Sequence, residues 1–273
     1  MNFRLVALDL DGTLLDSRLQ IRPESAASIA ALRERGIGVM LVTGRHHAAA
    51  APYHRALGLD LPAICCNGTY LYDYARSEAL MPNPLSRTQA LFLLRKIRES
   101  GIHALMYIRN TITYERVEPH LARLLKWIET QHPEDRAAFR RVARFEDVAV
   151  TADIVWKFAL THPVTEPLLE LVAEVQREMG LACEWSGSNR VDIAQGGNSK
   201  GALLARWLAE NAIAPEDVIA FGDSPNDISM LQLAGVGVAM AGCLPEVREA
   251  ADWLAGPNDS DTIARTLERF VPA

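Results

Sequence analysis

Short apolar runs alternate with longer amphipathic stretches along the first 80 residues. The run over 3–8 ends in acids and predicts a buried strand. Residues 25–35 carry apolar side chains at helical spacing, with Pro23 and Glu24 at the start and Gly36 after the end, which predicts a helix. A second buried strand is predicted over 39–42 and is broken by Gly44. A helix over 46–57 and a short strand over 63–66 follow. Strands separated by helices predict βαβ units, a parallel sheet and right-handed crossovers. The end of the chain repeats this grammar. Helices are predicted over 199–211, 227–234, 245–250 and 262–270, with strands over 218–221 and 236–239.

The middle of the chain differs. Met81-Pro-Asn-Pro-Leu reads as a linker, because two prolines disfavour regular structure. After it come predicted helices over 87–99, near 121–130 and over 165–179. Predicted strands lie over 104–108, 111–114, 155–160 and 182–185. The fold class expected is α/β: a Rossmann-like core with a parallel sheet, formed by 1–82 and 188–273, carrying an inserted α/β domain over 83–187.

Length fits that division, since 273 residues make one large or two modest domains at about 150 residues each. Hydrophobic residues at 49% and charged residues at 23% are ordinary for a globular protein and argue against disorder or a small disulfide scaffold. The formal charge of −6 gives a phosphate-rich polymer no global attraction, so no nucleic-acid partner is expected. The chain has no secretory-signal pattern and no run of 18 apolar residues, so no membrane partner is expected and the cytoplasm is the expected location. Four cysteines show neither a C-x-x-C pair nor zinc spacing. Cys65 and Cys66 lie in an apolar run and are expected to be buried thiols.

The chemistry concentrates in four places. In Asp9-Leu10-Asp11-Gly12-Thr13, side chains at i and i+2 of a strand share a face. Asp9 and Asp11 are therefore expected to converge at the carboxyl end of a buried strand, where open α/β sheets bind ligands. Like charges so placed call for a cation. A second acidic loop, Gly222-Asp223-Ser-Pro-Asn226-Asp227, also follows an apolar run. By itself it reads as an Asn/Asp turn. Together with Asp9 and Asp11 its oxygens describe a Mg²⁺ site. Thr43-Gly44-Arg45 offers a hydroxyl and bare backbone N–H groups to an anion, although Thr43 alone also reads as a helix cap. Asn198-Ser-Lys200-Gly opens a helix with a positive charge, although Lys200 alone reads as a solvated surface lysine. Other motifs fail: residues 196–201 have P-loop glycine spacing, but Ala202 and Leu203 stand where Lys and Ser/Thr are needed. His46-His47 lacks the i, i+4 spacing of a zinc pair and is expected on the surface of a helix start.

These four segments, in this order, resemble the motifs of the haloacid dehalogenase-like phosphatases. The long gap between Thr43 and Lys200 is where the Cof-like hydrolases of that superfamily carry an α/β cap, which closes over the site and excludes bulk water. The resemblance implies a phosphatase of small phosphorylated metabolites. Asp9 is then the nucleophile and Asp11 the general acid and base. Mg²⁺ is held by the side chains of Asp9 and Asp223 and by the backbone carbonyl of Asp11, with Asp227 behind them orienting ligands or waters. Lys200, Thr43, Gly44, Asn226 and the Leu10 backbone cradle the phosphate. At finer grain, Thr43-Gly-Arg-His-His, the stretch over 63–74, Val155-Trp-Lys-Phe-Ala-Leu-Thr-His and Val191-Asp-Ile-Ala look like the Cof-like phosphatases acting on pyridoxal phosphate. That implies pyridoxal 5′-phosphate and sugar phosphates as leading substrates. Lys157, Trp185 and Arg190 are candidates for contacting substrate from the cap. Two alternatives stay open on the sequence. A sugar phosphomutase would release an isomerised sugar phosphate instead of inorganic phosphate. A non-catalytic phosphometabolite-binding protein could dispense with Asp9 or Asp11, yet both are present.

Overall fold

A computed structural model describes residues 3–129, 133 and 136–272. The chain forms two compact units. The first comprises Met1–Gly44, Tyr53–Leu80 and Ser199–Ala273; the second comprises Arg45–Pro52 and Met81–Asn198.

The first unit is built on a five-stranded sheet of β1 (Leu5–Leu8), β2 (Gly38–Leu41), β12 (Val218–Gly222), β13 (Val236–Ala239) and β14 (Trp253–Leu254). The spatial order is β14-β13-β12-β1-β2 and every pairing is parallel. Helices α1 (Pro23–Glu34), α7 (Lys200–Glu210), α8 (Ile228–Leu233), α9 (Pro245–Glu249) and α10 (Thr262–Phe270) belong to the same unit. β1, β12 and β13 are buried along their whole length, as expected of strands covered on both faces. This is the α/β core that the alternating pattern predicts.

The strand over 63–66 is not part of that ladder. β3 (Ala63–Cys65) pairs antiparallel with β4 (Tyr70–Asp73), which pairs antiparallel with β5 (Glu78–Leu80). A single parallel bridge, Val42 to Ile64, links β3 to the end of β2. The tight turn at Asn67-Gly68 folds the chain back on β3 and gives it a neighbour closer in sequence than any parallel strand.

The second unit holds a mixed six-stranded sheet. Its strands are β6 (His103–Ile108), β7 (Thr111–Tyr114), β8 (Phe139–Arg141), β9 (Val155–Thr161), β10 (Ala182–Gly187) and β11 (Arg190–Ala194), in the order β10-β11-β9-β6-β7-β8. Helices α3 (Arg87–Ser100), α5 (Phe145–Thr151) and α6 (Glu166–Met179) close its core through Leu93, Phe145, Leu168 and Val175, against Phe158 and Ile193 of the sheet. α3 is framed by a Ser86–Gln89 capping box and by Gly101 in the left-handed conformation. α4 (Pro119–Glu129) starts near the expected helix, whose expected last residue, Thr130, lies outside the described residues. β11 pairs with β9 and β10, so this sheet takes residues beyond position 188.

His46 and His47 are not on the surface. The segment holding them belongs to the second unit, and both rings are buried. His46 Nδ1 accepts from the Ala48 amide, and Nε2 donates to the carbonyls of Ile108 and Arg109, each at 3.1 Å. Burial holds the His46 imidazole down at about 4, and burial with the neighbouring His46 holds His47 down at about 3. Helix α2 (His47–Ala56) begins with the second of them. Cys65 and Cys66 are fully buried thiols outside any disulfide, as their apolar surroundings predict. Among the described residues no helix is long and apolar enough to cross a membrane.

Candidate active site

Adjacent parallel strands that end together bring distant acids together. Leu8 of β1 is in register with Phe221 of β12 and with Leu41 of β2. Asp9 continues β1 by one residue, its N–H donating to the Phe221 carbonyl at 3.1 Å. Asp223 follows β12 directly, and Thr43 lies two residues past β2. All three therefore stand at the carboxyl edge of the sheet, where ligands of open α/β folds bind.

Lys200 arrives from another direction, as the first residue of α7, whose N-terminus is capped by Ser199 accepting from the Ala202 amide at 3.0 Å. The lysine is 1% exposed, which removes the solvated-surface reading. Its Nζ lies 2.7 Å from Asp9 Oδ1 and 2.6 Å from Asp227 Oδ1. Burial would pull the ammonium down, but Asp227 and Asp9 outweigh it and hold Lys200 above its ordinary value, charged. Burial pushes Asp9 well above the usual carboxylate range; Lys200 opposes this, and the charges of Asp227 and Asp223 add to it.

Asp223 is held by two hydroxyls. Thr13 Oγ1 donates to its Oδ1 at 2.8 Å and Ser224 Oγ to its Oδ2 at 2.9 Å. Burial, then the neighbouring Asp227, pushes its carboxyl up to about 6. Asp227 takes Lys200 on Oδ1 and the backbone N–H groups of Asp223 and Ser224 on Oδ2, both at 3.0 Å. Asp227 thus fixes the acidic loop from within. The Gly12 backbone, at φ +80°, leaves room that a side chain would take from Asp223.

Asp9, Asp223 and Asp227 each offer a carboxylate oxygen, and these lie within 4.8 Å of one another. Three carboxylates facing a single buried ammonium call for further positive charge, and all the donors are hard oxygens. The set fits a divalent cation of the Mg²⁺ type. Asp11 is placed differently from the strand-alternation expectation. β1 stops at Leu8, the chain turns, and Asp11 is exposed and bridged to Leu15 instead of sharing a strand face with Asp9. Leu10 is fully buried, and its carbonyl accepts from Thr13 and Leu15. Thr43 is buried, with its N–H on the Ile64 carbonyl. Asn226 is buried and donates to Asn67 Oδ1 at 3.0 Å.

Thr13, Ser224 and Asn67 were given no role by the sequence pattern. Thr13 lies inside the Asp9–Thr13 run, and the Asn67-Gly68 dipeptide is a turn signal. Neither shows which side chain it will meet. Of the cap candidates, Lys157 is fully buried in the second unit. It is ion-paired with Asp192, and its Nζ stands 4.6 Å from the centre of the Tyr107 ring. Trp185 and Arg190 are half-buried on β10 and β11.

Residues 6–267 match the haloacid dehalogenase-like hydrolase family. The chain is 45% identical to the pyridoxal phosphate phosphatase YbhA of Escherichia coli (strain K12) over 98% of each sequence. Among solved structures it resembles a haloacid dehalogenase-like hydrolase from Bacteroides thetaiotaomicron, at 26% identity and TM-score 0.81, covering 98% of this chain and 99% of that one. It also shares the fold of a haloacid dehalogenase-like hydrolase from B. subtilis, at 22% identity and TM-score 0.87, covering 98% of this chain and all of the other.

Proposed function

The chain belongs to the haloacid dehalogenase-like hydrolases, and on that premise we propose that it is a Mg²⁺-dependent phosphatase of small phosphomonoesters, with pyridoxal 5′-phosphate as the leading substrate and sugar phosphates beside it. The observation that carries the reading is the meeting of Asp9, Lys200 and Asp223 at one sheet edge. The substrate is supported by the likeness to the Escherichia coli pyridoxal phosphate phosphatase along nearly the whole of both chains.

In this reading the first unit forms the catalytic core and the second unit, which takes in β11 and runs to Asn198, forms the cap. A carboxylate oxygen of Asp9 attacks phosphorus while the bond to the leaving alkoxide breaks, giving an aspartyl-phosphate. Asp11 gives its proton to the departing alkoxide. It then takes a proton from the water that attacks the aspartyl-phosphate, and inorganic phosphate leaves with Asp9 restored. The exposure of Asp11 suits a group that must exchange protons with solvent. Lys200, Thr43, Gly44, Asn226 and the Leu10 backbone hold the phosphate oxygens. Asp9, Asp223 and the Asp11 carbonyl would hold Mg²⁺, and Asp227 keeps Asp223 and Lys200 in place. The bound cation supplies positive charge to the phosphoryl oxygens, which is where phosphoryl transfer needs it.

The test is release of inorganic phosphate from pyridoxal 5′-phosphate and from a panel of phosphorylated metabolites, ranked by kcat/KM, with and without EDTA. Turnover should stop when the metal is chelated and return with added Mg²⁺. Turnover that survives EDTA would overturn the mechanism. Pyridoxal 5′-phosphate near the bottom of the ranking would overturn the substrate assignment and leave the phosphatase standing.

A further inference from the structure

One short turn touches three of the four site segments, and it belongs to none of them. Cys66, Asn67 and Gly68 have φ values of 51°, 55° and 83°, three consecutive residues in the left-handed region. Glycine adopts this conformation freely, and asparagine tolerates it better than most side chains. Strain of this kind persists only where the surroundings over-determine it. Here they do. The Gly68 amide donates to the Cys65 carbonyl at 3.1 Å, and Thr69 Oγ1 donates to the Cys66 carbonyl at 2.8 Å.

The turn reaches outward in three directions. The Asn67 N–H donates to the Thr43 carbonyl at 3.1 Å. The Asn67 side-chain oxygen sits 2.9 Å from where a Cβ on Gly44 would lie, so Gly44 is the residue that lets it in. The same oxygen accepts from Asn226 Nδ2 at 3.0 Å. A Cβ on Gly68 would lie 2.0 Å from the Ser199 carbonyl oxygen, so the turn presses its backbone on the residue that caps the Lys200 helix. Asn67 is 1% exposed and Asn226 6%. Asn226 Oδ1 is buried without a hydrogen-bond partner among the described residues.

An amide nitrogen carries two hydrogens. With one given to Asn67, the plane of the Asn226 amide is fixed and its second N–H has a set direction. Without Asn67, the amide could rotate by 180° to find a donor for its stranded oxygen and would then offer an acceptor where a donor had been. We infer that Asn67 is a positioning residue: held in a left-handed turn, it orients the Asn226 amide and the Thr43-Gly44 loop so that the Asn226 side-chain N–H, the Thr43 hydroxyl and the Gly44 N–H face the phosphate. This rests on the phosphatase reading above, and goes beyond it by assigning a role to a residue outside the four motifs.

The informative variant is Asn67→Gly, because glycine keeps the left-handed backbone and removes only the side chain. Inorganic phosphate is the probe, titrated by calorimetry with Mg²⁺ present, alongside KM and kcat for pyridoxal 5′-phosphate. The variant should melt near the native temperature, while phosphate affinity falls and KM rises about tenfold, the loss expected of one orienting hydrogen bond. The double variant Asn67→Gly/Asn226→Ala should bind phosphate no more weakly than Asn226→Ala, because the two residues act as one unit. Native phosphate affinity in Asn67→Gly, or additive losses in the double variant, would overturn the inference. Asn67→Asp is the companion: it keeps the acceptor oxygen and the turn, and places a negative charge against the Asn226 amide. Phosphate binding to it should weaken and should recover part of the loss at higher ionic strength; unchanged binding would also overturn the inference. A native protein that neither binds phosphate nor releases it from any ester would instead overturn the functional reading.

Discussion

The carboxylate of Asp223 fills the space where Gly12 lacks a side chain: its Oδ2 lies 2.4 Å from the position a Cβ on Gly12 would take. The loop after β1 and the loop after β12 can approach each other only because one of them is bare at this point. Gly12→Ala should therefore fail twice, through its φ of +80° and through collision with Asp223. Stability should drop by about 1–3 kcal/mol, and the Mg²⁺ concentration for half-maximal activity should rise at least about tenfold. A Mg²⁺ titration of activity with a thermal melt checks both. A normal titration would mean that Asp223 does not hold the cation.

Asp9→Asn keeps size and loses the nucleophilic charge. Lys200 keeps Asp227 as a partner, so the variant should fold. Its kcat should fall by about 10⁴-fold or more, as when a covalent nucleophile is removed. Rapid-quench measurements should find no phosphorylated protein. Turnover within tenfold of native would remove Asp9 from its role.

Lys200→Met removes the buried cation between Asp9 and Asp227 and leaves both carboxylates uncompensated. The loss of unfolding free energy should be about 3–5 kcal/mol, the range for breaking a buried ion pair on one side. Urea unfolding with and without Mg²⁺ measures it. Added Mg²⁺ should recover more stability in the variant than in the native protein, since it supplies charge that the variant lacks.

The buried histidines give a pH dependence with a definite sign. His46 is held at about 4 by burial, while an unfolded histidine titrates near 6.5. Below pH 6.5 the unfolded chain takes up a proton that the folded protein refuses. The His46 contribution is therefore intact above pH 6.5 and is lost as pH falls toward 4, by an amount on the order of 3 kcal/mol. Unfolding free energies of the native protein and of His46→Gln, measured at pH 7.5 and pH 5, isolate the effect. The native protein should lose more than the variant on acidification; equal losses would mean that His46 titrates normally in the folded state.

The amino-acid pattern by itself determined most strands and helices of the core, though not β4, β5 or β14, and which acids would stand at strand ends. Burial on both faces leaves continuous apolar runs, and acids that directly follow such runs, as Asp9 and Asp223 do, must sit at strand ends. Lys200 follows a helix cap for an equally local reason. What the pattern could not give was anything decided by a partner distant in sequence. β3 was readable as a strand, but its antiparallel pairing depends on a turn that brings β4 beside it. β11 joins the second sheet because β9 and β10 flank it. The burial of His46 depends on carbonyls of Ile108 and Arg109, more than sixty residues away. Asp11 left the face of Asp9 because the chain turned after Leu8. Asn67 meets Asn226 across 159 residues of chain. Periodicity and caps are properties of neighbours along the chain, so sequence encodes them legibly; the identity of the side chain opposite is fixed only when packing and hydrogen bonding choose among many partners at once.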